Sequence, residues 1–278
     1  MEKYELLPKQ LIHEGTCDPD DFFSPQTLDE GVVKIIHQKD YINRLKRLDL
    51  NRSEVRKIGF PISQQLVERE FIIAGGTLEA ALKSLQEGIS FNIAGGTHHA
   101  YSNHGEAFCM LNDQAIAAQY LLDHQHAKKI LIIDLDVHQG NGTAEIFNKE
   151  NRVFTFSMHG QKNYPFRKEQ SDWDIPLEDK TGDDVYLNAL NDTLPKLFER
   201  VDPDFIFYLS GVDVLATDRL GRLSMSLEGC KQRDEQVLEF CYKRSVPIQC
   251  SMGGGYSKDI KLIIEAHANT YRMAKRIF

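Results

Sequence analysis

The sequence predicts an α/β fold: one domain, a mostly parallel sheet with helices on both faces. Three observations carry this. Short apolar runs rich in β-branched and aromatic residues alternate with longer amphipathic segments, the order that builds parallel sheets covered by helices. No internal repeat, low-complexity tract or linker divides the 278 residues, a length ordinary for one α/β domain. Hydrophobic residues make up 41% and charged residues 27%, a globular balance.

The elements follow in order. The first 60 residues are weakly patterned and read as short helices joined by loops. Residues 63–88 form an amphipathic segment opened by Ser63 as N-cap and closed by Gly88. "GISFNIAGG" (88–96), "KKILIIDLD" (128–136), "RVFTFSMH" (152–159), "DFIFYLSG" (204–211) and "VPIQCSMGGG" (246–255) read as buried strands. Each stops at glycine or at a polar cluster. Helical patterns lie between and after them at 112–124, 183–201, 226–244 and 257–277, the last with Ser257 as a cap.

The bulk numbers exclude several function classes. A net charge of −8 argues against a general nucleic-acid binder, which needs a basic face. Five scattered cysteines without a CxxC pair suit a reducing compartment better than a disulfide framework. "MEKYELLPKQLIHEG" lacks a signal-peptide core, and no apolar run approaches a membrane span. The expectation is a soluble cytoplasmic protein without membrane or direct nucleic-acid partners, its oligomeric state open.

Function is written at the strand ends, where open α/β sheets collect ligands. "GGTHHA" (95–100), "DLDVHQGNG" (134–142), "SGVDVLATDRLG" (210–221) and "SMGGGY" (251–256) all follow predicted strands. Asp136 and His138 are two apart on an extended segment, so both face one side. Asp213, at the end of another strand, supplies a third ligand. Three nitrogen or oxygen ligands with one open position describe a catalytic zinc site, and one Zn2+ per chain is expected. A two-metal hydrolase would need further carboxylates where Gly140 and Leu215 stand. Asp134 is then left to support an imidazole or to ligate a different cation.

His98 and His99 follow a Gly-Gly turn and can line one pocket, one taking a proton from water and the other serving the leaving group. Tyr256 follows Gly253 to Gly255, a run that lets backbone pass close to a ligand, and its hydroxyl can donate to a developing oxyanion. Phe108, Leu220 and the "NYPF" turn with Tyr164 and Phe166 suit a narrow apolar tunnel, with Gly254 in its wall.

In this order and spacing, "GGTHHA", "GEAFCMLND", "DLDVHQGNG", "SGVDVLATDRLG" and "GGGY" resemble the zinc-dependent histone deacetylase family. "HQGNGT", "DRLGRLSMS" and the "VP" before the glycine turn look most like its class IV branch and bacterial relatives. The resemblance spans the chain and implies the arginase/deacetylase fold and hydrolysis of an N-acyl-lysine-type amide, with an acyl-lysine protein or a small acylated amine as substrate. It implies zinc on Asp136, His138 and Asp213, active-site histidines at His98 and His99, the oxyanion donor at Tyr256 and the tunnel phenylalanine at Phe108. It also implies a monovalent cation, K+, on Asp134, Asp136, His138, Ser157 and the backbone of Met158, with Asp134 orienting His98. Two departures stand out. Asn141 sits where most members have an aspartate behind the second histidine, so His99 should be less basic. The family usually carries a strand and a pocket-wall loop ahead of "KY", which raises the expectation of a missing first strand. Competing readings are an acetylpolyamine or small-amide deacetylase and a weakly active acyl-lysine-binding module.

Overall fold

A computed structural model describes residues 2–278. Among the described residues, six strands form a single sheet: β1 (Ile89–Asn92), β2 (Ile130–Asp134), β3 (Val153–Gly160), β4 (Trp173–Leu177), β5 (Phe205–Ser210) and β6 (Ile248–Met252). Their order is β1-β6-β5-β2-β3-β4, and every neighbouring pair is parallel.

Side-chain alternation along each strand feeds two cores. On β2, Leu131 and Ile133 enter one apolar cluster with Tyr208 of β5, Phe156 of β3, and helices α8 (Asp183–Val201), α9 (Leu227–Lys243) and α10 (Ile260–Ile277). Ile130 and Ile132 point the other way, to Phe205, Phe207 and the helices α5 (Gln64–Glu87) and α6 (Asp113–Asp123). The period of two on a sheet covered on both faces makes both sets apolar. Hence β2 and β5 read as unbroken hydrophobic runs.

The helix ends follow local chemistry. Ser63 Oγ accepts from Leu66 N and Gly88 closes α5 in a positive-φ conformation. Asn112 caps α6 and Ser226 caps α9. The last helix departs from expectation: it starts at Ile260, capped by Asp259 through Lys261 N, rather than by Ser257. Ser257 Oγ instead bonds Thr217 Oγ1 at 2.8 Å, which ties the loop after β6 to the loop after β5.

The N-terminal quarter is helical, with α1 (Lys3–His13), α2 (Glu30–Val33), α3 (Lys39–Lys46) and α4 (Arg52–Ile58) preceding α5. Leu7 and Leu11 of α1 pack on Ile264, Ala268 and Tyr271 of α10. Helix α7 (Asn141–Phe147) and strand β4 escape the sequence reading. α7 is only two turns long, and β4 carries Pro176, which a sheet tolerates on an edge strand.

Candidate functional site

Strands β1, β6, β5 and β2 lie side by side, and the loops leaving their carboxyl ends converge. His98 and His99 follow β1, Asp136 and His138 follow β2, Asp213 follows β5 and Tyr256 follows β6. All six side chains line one cavity of about 730 Å³. Phe108, Tyr164, Phe166, Leu220 and Gly254 line it too. Phe166 is 90% exposed, which puts it at the mouth rather than in a narrow section.

One atom each from Asp136, His138 and Asp213 lies within 4.8 Å of the others. His138 Nδ1 is 3.0 Å from Asp136 Oδ1 and 3.3 Å from Asp213 Oδ2. The backbone fixes this. Val137 N donates to Asp213 Oδ1 at 2.9 Å, His138 N to Asp136 Oδ1 at 2.9 Å and Asp136 N to Asp134 Oδ1 at 3.1 Å. Gly254 closes the other side: a Cβ there would stand 2.0 Å from Asp213 Oδ2, so only glycine lets the chain pass.

The electrostatics ask for a cation. Burial and the charge of Asp136 push the Asp213 carboxyl up to about 7. Burial also opposes ionisation of Asp136, but the His138 and His98 imidazoles outweigh it and hold its carboxyl far below the usual range. Two buried carboxylates facing one point cannot both ionise cheaply unless a cation joins them. Asp213 Oδ2 is buried without a hydrogen-bond partner among the described residues, as a ligand atom would be. The donor set of one nitrogen and two oxygens, with room left on the cavity side, fits a zinc ion.

The two neighbouring imidazoles are held differently. His98 Nδ1 donates to Asp134 Oδ2 at 2.7 Å. Burial opposes its charge, but Asp134 and Asp136 raise its pKa to about 9. His99 Nδ1 donates to the neutral Asn141 Oδ1 at 2.6 Å. Burial, then the charges of His98 and His138, push its pKa well below the usual value. The Tyr256 phenol is pushed up, mainly by burial, so it stays a donor.

Ser157 and Met158 lie on β3, with Ser157 in register with Asp134 on β2. Ser157 Oγ bonds His159 Nδ1 at 2.9 Å. These residues sit behind the cluster and do not line the cavity.

Sequence reasoning passed over several residues that build the site. Lys3 Nζ donates to the Gly254 carbonyl, and both Lys3 and Tyr4 line the cavity, so α1 supplies part of its wall. Arg233 on α9 is fully buried and donates to the carbonyls of Leu135 and Gly211. Those carbonyls belong to the two loops that carry Asp136 and Asp213. Phe108 adopts φ 68°, unusual for a bulky residue; its N–H donates to Ile58 O at 2.7 Å, which anchors the turn on the end of α4. No motif in the sequence marks Lys3 or Arg233, because their roles depend on which backbone atoms the fold brings near them.

Among the described residues no helix is long and apolar enough to cross a membrane.

The chain is similar to known proteins over most of its length. The chain is 40% identical over 278 residues to an uncharacterized protein of Picosynechococcus sp., covering 100% of this chain and 93% of that one. It is 28% identical over 272 residues to histone deacetylase 2 of Arabidopsis thaliana, covering 94% of this chain and 70% of that one. A crystal structure of a histone deacetylase homologue from Aquifex aeolicus superposes with a TM-score of 0.83 at 23% identity, covering 97% of this chain and 77% of that one. The sequence pattern described as "Histone deacetylase domain" matches residues 1–271. The chain therefore belongs to the histone deacetylase family of hydrolases.

Proposed function

We propose that the chain is a zinc-dependent amidohydrolase that removes an acyl group from N-acyl-lysine side chains. One observation carries this reading: two buried carboxylates and an imidazole meet in the same cavity as two imidazoles with different hydrogen-bond partners. Asp136, His138 and Asp213 would hold the zinc. When bound, zinc supplies Lewis acidity toward the amide carbonyl and the attacking water.

The other groups divide the remaining work. His99, neutral and with its Nδ1 proton committed to Asn141, offers Nε2 as the base that takes a proton from water and returns it to the leaving amine. His98, kept cationic by Asp134, contributes fixed positive charge. Tyr256 donates its hydroxyl proton to the developing oxyanion. The same reading places a structural K+ against Asp134, Asp136, His138, Ser157 and Met158; the register of Asp134 with Ser157 supports it.

The substrate tunnel runs between Phe108, Tyr164 and Leu220, with Phe166 at its mouth. Apolar side chains of Phe60, Leu66, Ile73 and Ile263 also line the cavity, which favours long acyl chains, as the class IV resemblance implies. Each buried methylene contributes about 0.8 kcal/mol, so kcat/KM should rise steeply with chain length. A fluorogenic acyl-lysine series, with acylpolyamines run beside it on zinc-loaded protein, tests this. Activity confined to acetyl substrates would remove the long-chain reading. Turnover of acylpolyamines alone would move the substrate to small amines.

A further inference from the structure

We infer that Glu106 is a positioning residue for His99, acting through Asn141; the inference rests on the reading of His99 as the proton-transferring base. Glu106 stands in the turn "GEAFC", and its side chain is 15% exposed. Its Oε1 accepts from Asn141 Nδ2 at 3.1 Å and from the Tyr164 hydroxyl. Asn141 Oδ1 in turn accepts from His99 Nδ1 at 2.6 Å. The chain is therefore His99, amide, carboxylate, with His99 lining the cavity and Asn141 and Glu106 standing behind it.

The hydrogen-bond inventory fixes each proton in this chain. An ionised carboxylate only accepts. The Asn141 atom facing Glu106 must therefore be the amide nitrogen. That leaves the amide oxygen facing His99, and an oxygen there requires a proton on Nδ1. Nε2 is then left with its lone pair toward the cavity. Without Glu106 the amide can turn over, present its N–H₂ to the imidazole and force the opposite tautomer, which cannot accept a proton through Nε2.

The surroundings reinforce this single arrangement. Asn141 Nδ2 also donates to Tyr101 Oη at 3.0 Å, and Tyr101 Oη donates to Glu169 Oε1 at 3.2 Å. His104 Nε2 lies 3.3 Å from Glu106 Oε2, and its ring stacks on Tyr101 with centroids 4.5 Å apart. Glu106 and Cys109 exchange backbone hydrogen bonds at 2.9 Å in both directions. The carboxylate is thus fixed before it fixes Asn141. The Tyr164 ring meets His99 edge-on at 5.1 Å, so the hydroxyl bonded to Glu106 also sets the ring that borders the base. An aspartate at 141 would put its charge directly on the imidazole. Here the charge stands one residue further back and acts by orienting a neutral amide.

The test uses four full-length variants: Glu106→Leu, Glu106→Gln, Asn141→Asp and the double variant Glu106→Gln/Asn141→Asp. Two-bond ¹⁵N–¹H spectra of the imidazoles read the His99 tautomer directly and do not depend on turnover. Wild type and Glu106→Gln, which keeps an acceptor oxygen, should show Nδ1–H; Glu106→Leu should show a mixture. With acyl-lysine substrate, Glu106→Leu should lose about tenfold in kcat at nearly constant KM, the lower end of what losing support behind a catalytic imidazole costs. Asn141→Asp sets two carboxylates against each other and should fall at least as far. Adding Glu106→Gln removes that repulsion and should restore about tenfold. A purely structural Glu106 gives no such rescue. An unchanged His99 tautomer in folded Glu106→Leu, or a double variant no better than Asn141→Asp, would overturn the inference. A wild type that shows Nδ1–H but hydrolyses no acyl amine would instead overturn the proposed function.

Discussion

His98 and His99 are adjacent in the chain and their rings lie 4.1 Å apart, yet one faces a carboxylate and the other an amide. Asp134 and Asp136 raise the pKa of His98 against its burial, while burial and the charges of His98 and His138 lower that of His99, which the neutral Asn141 does not offset. Two identical side chains thereby acquire opposite pKa shifts, which on the proposed function suits them to different proton-handling roles at one pH.

Removing the carboxylate should erase that difference. With Asp134→Asn the pKa of His98, near 9 in the native protein, should fall by about one unit or more. On the proposed function a cationic His98 is needed for turnover, so the alkaline limb of the kcat/KM profile should move to lower pH. The profile of Asp134→Asn measured beside wild type checks this, with an unmoved alkaline limb counting against it.

A second histidine predicts how stability depends on pH. His37 is 1% exposed. Its Nδ1 donates to Tyr101 O at 3.0 Å and its Nε2 accepts from Asn112 N at 2.9 Å. Protonation of Nε2 would destroy the second bond. Burial pushes its pKa from 6.5 down to about 4. The unfolded chain therefore binds a proton before the folded one does as pH falls. The stability is fully present above 6.5 and is lost as pH drops toward 4. The full loss is about 3 kcal/mol. Urea unfolding of wild type across this range should show that slope, and His37→Gln should flatten it from a lower starting stability.

Arg233 gives a third prediction. It pairs with Asp234 at 2.7 Å, both fully buried, and Asp234 also accepts from Tyr208 and Thr270. Arg233→Met leaves that carboxylate unpaired and releases the carbonyls of Leu135 and Gly211. Stranding a buried charge costs about 3–5 kcal/mol, which should lower Tm by roughly 6–20 °C in a domain of this size. Because those carbonyls flank Asp136 and Asp213, zinc affinity should weaken in whatever fraction still folds. Thermal melts and metal titration of the variant measure both effects.

The legibility of this chain was uneven for physical reasons. Strands β2 and β5 are covered on both faces, so burial demands continuous apolar runs that sequence displays plainly. Edge strand β4 buries less, admits Pro176 and therefore carries little signal. Asp136 and His138 were legible as a pair, but not for the reason the sequence offered. Strand β2 ends at Asp134 and residues 136–138 bend rather than extend, so their common side is set by the turn, in which His138 N donates to Asp136 Oδ1. Asp213 was legible as a third ligand from its place at a strand end, and the pairing of β5 with β2 explains why it stands beside Asp136 and His138. Glu106 and Arg233 were invisible as functional groups, since a surface-type residue in a loop or helix gains a role only from what the fold sets beside it. The cap of α10 fell on Asp259 rather than Ser257 because the glycine loop runs two residues further than its composition suggests.

The central claim is that Asp136, His138 and Asp213 hold one catalytic zinc that serves acyl-amide hydrolysis. It is tested most directly by reconstituting wild type and Asp213→Ala with zinc and measuring bound metal and N-acyl-lysine hydrolysis on the same samples. The account predicts about one zinc per wild-type chain with measurable hydrolysis, and loss of both in folded Asp213→Ala. Wild type active without bound metal, or Asp213→Ala retaining both zinc and activity, would contradict it.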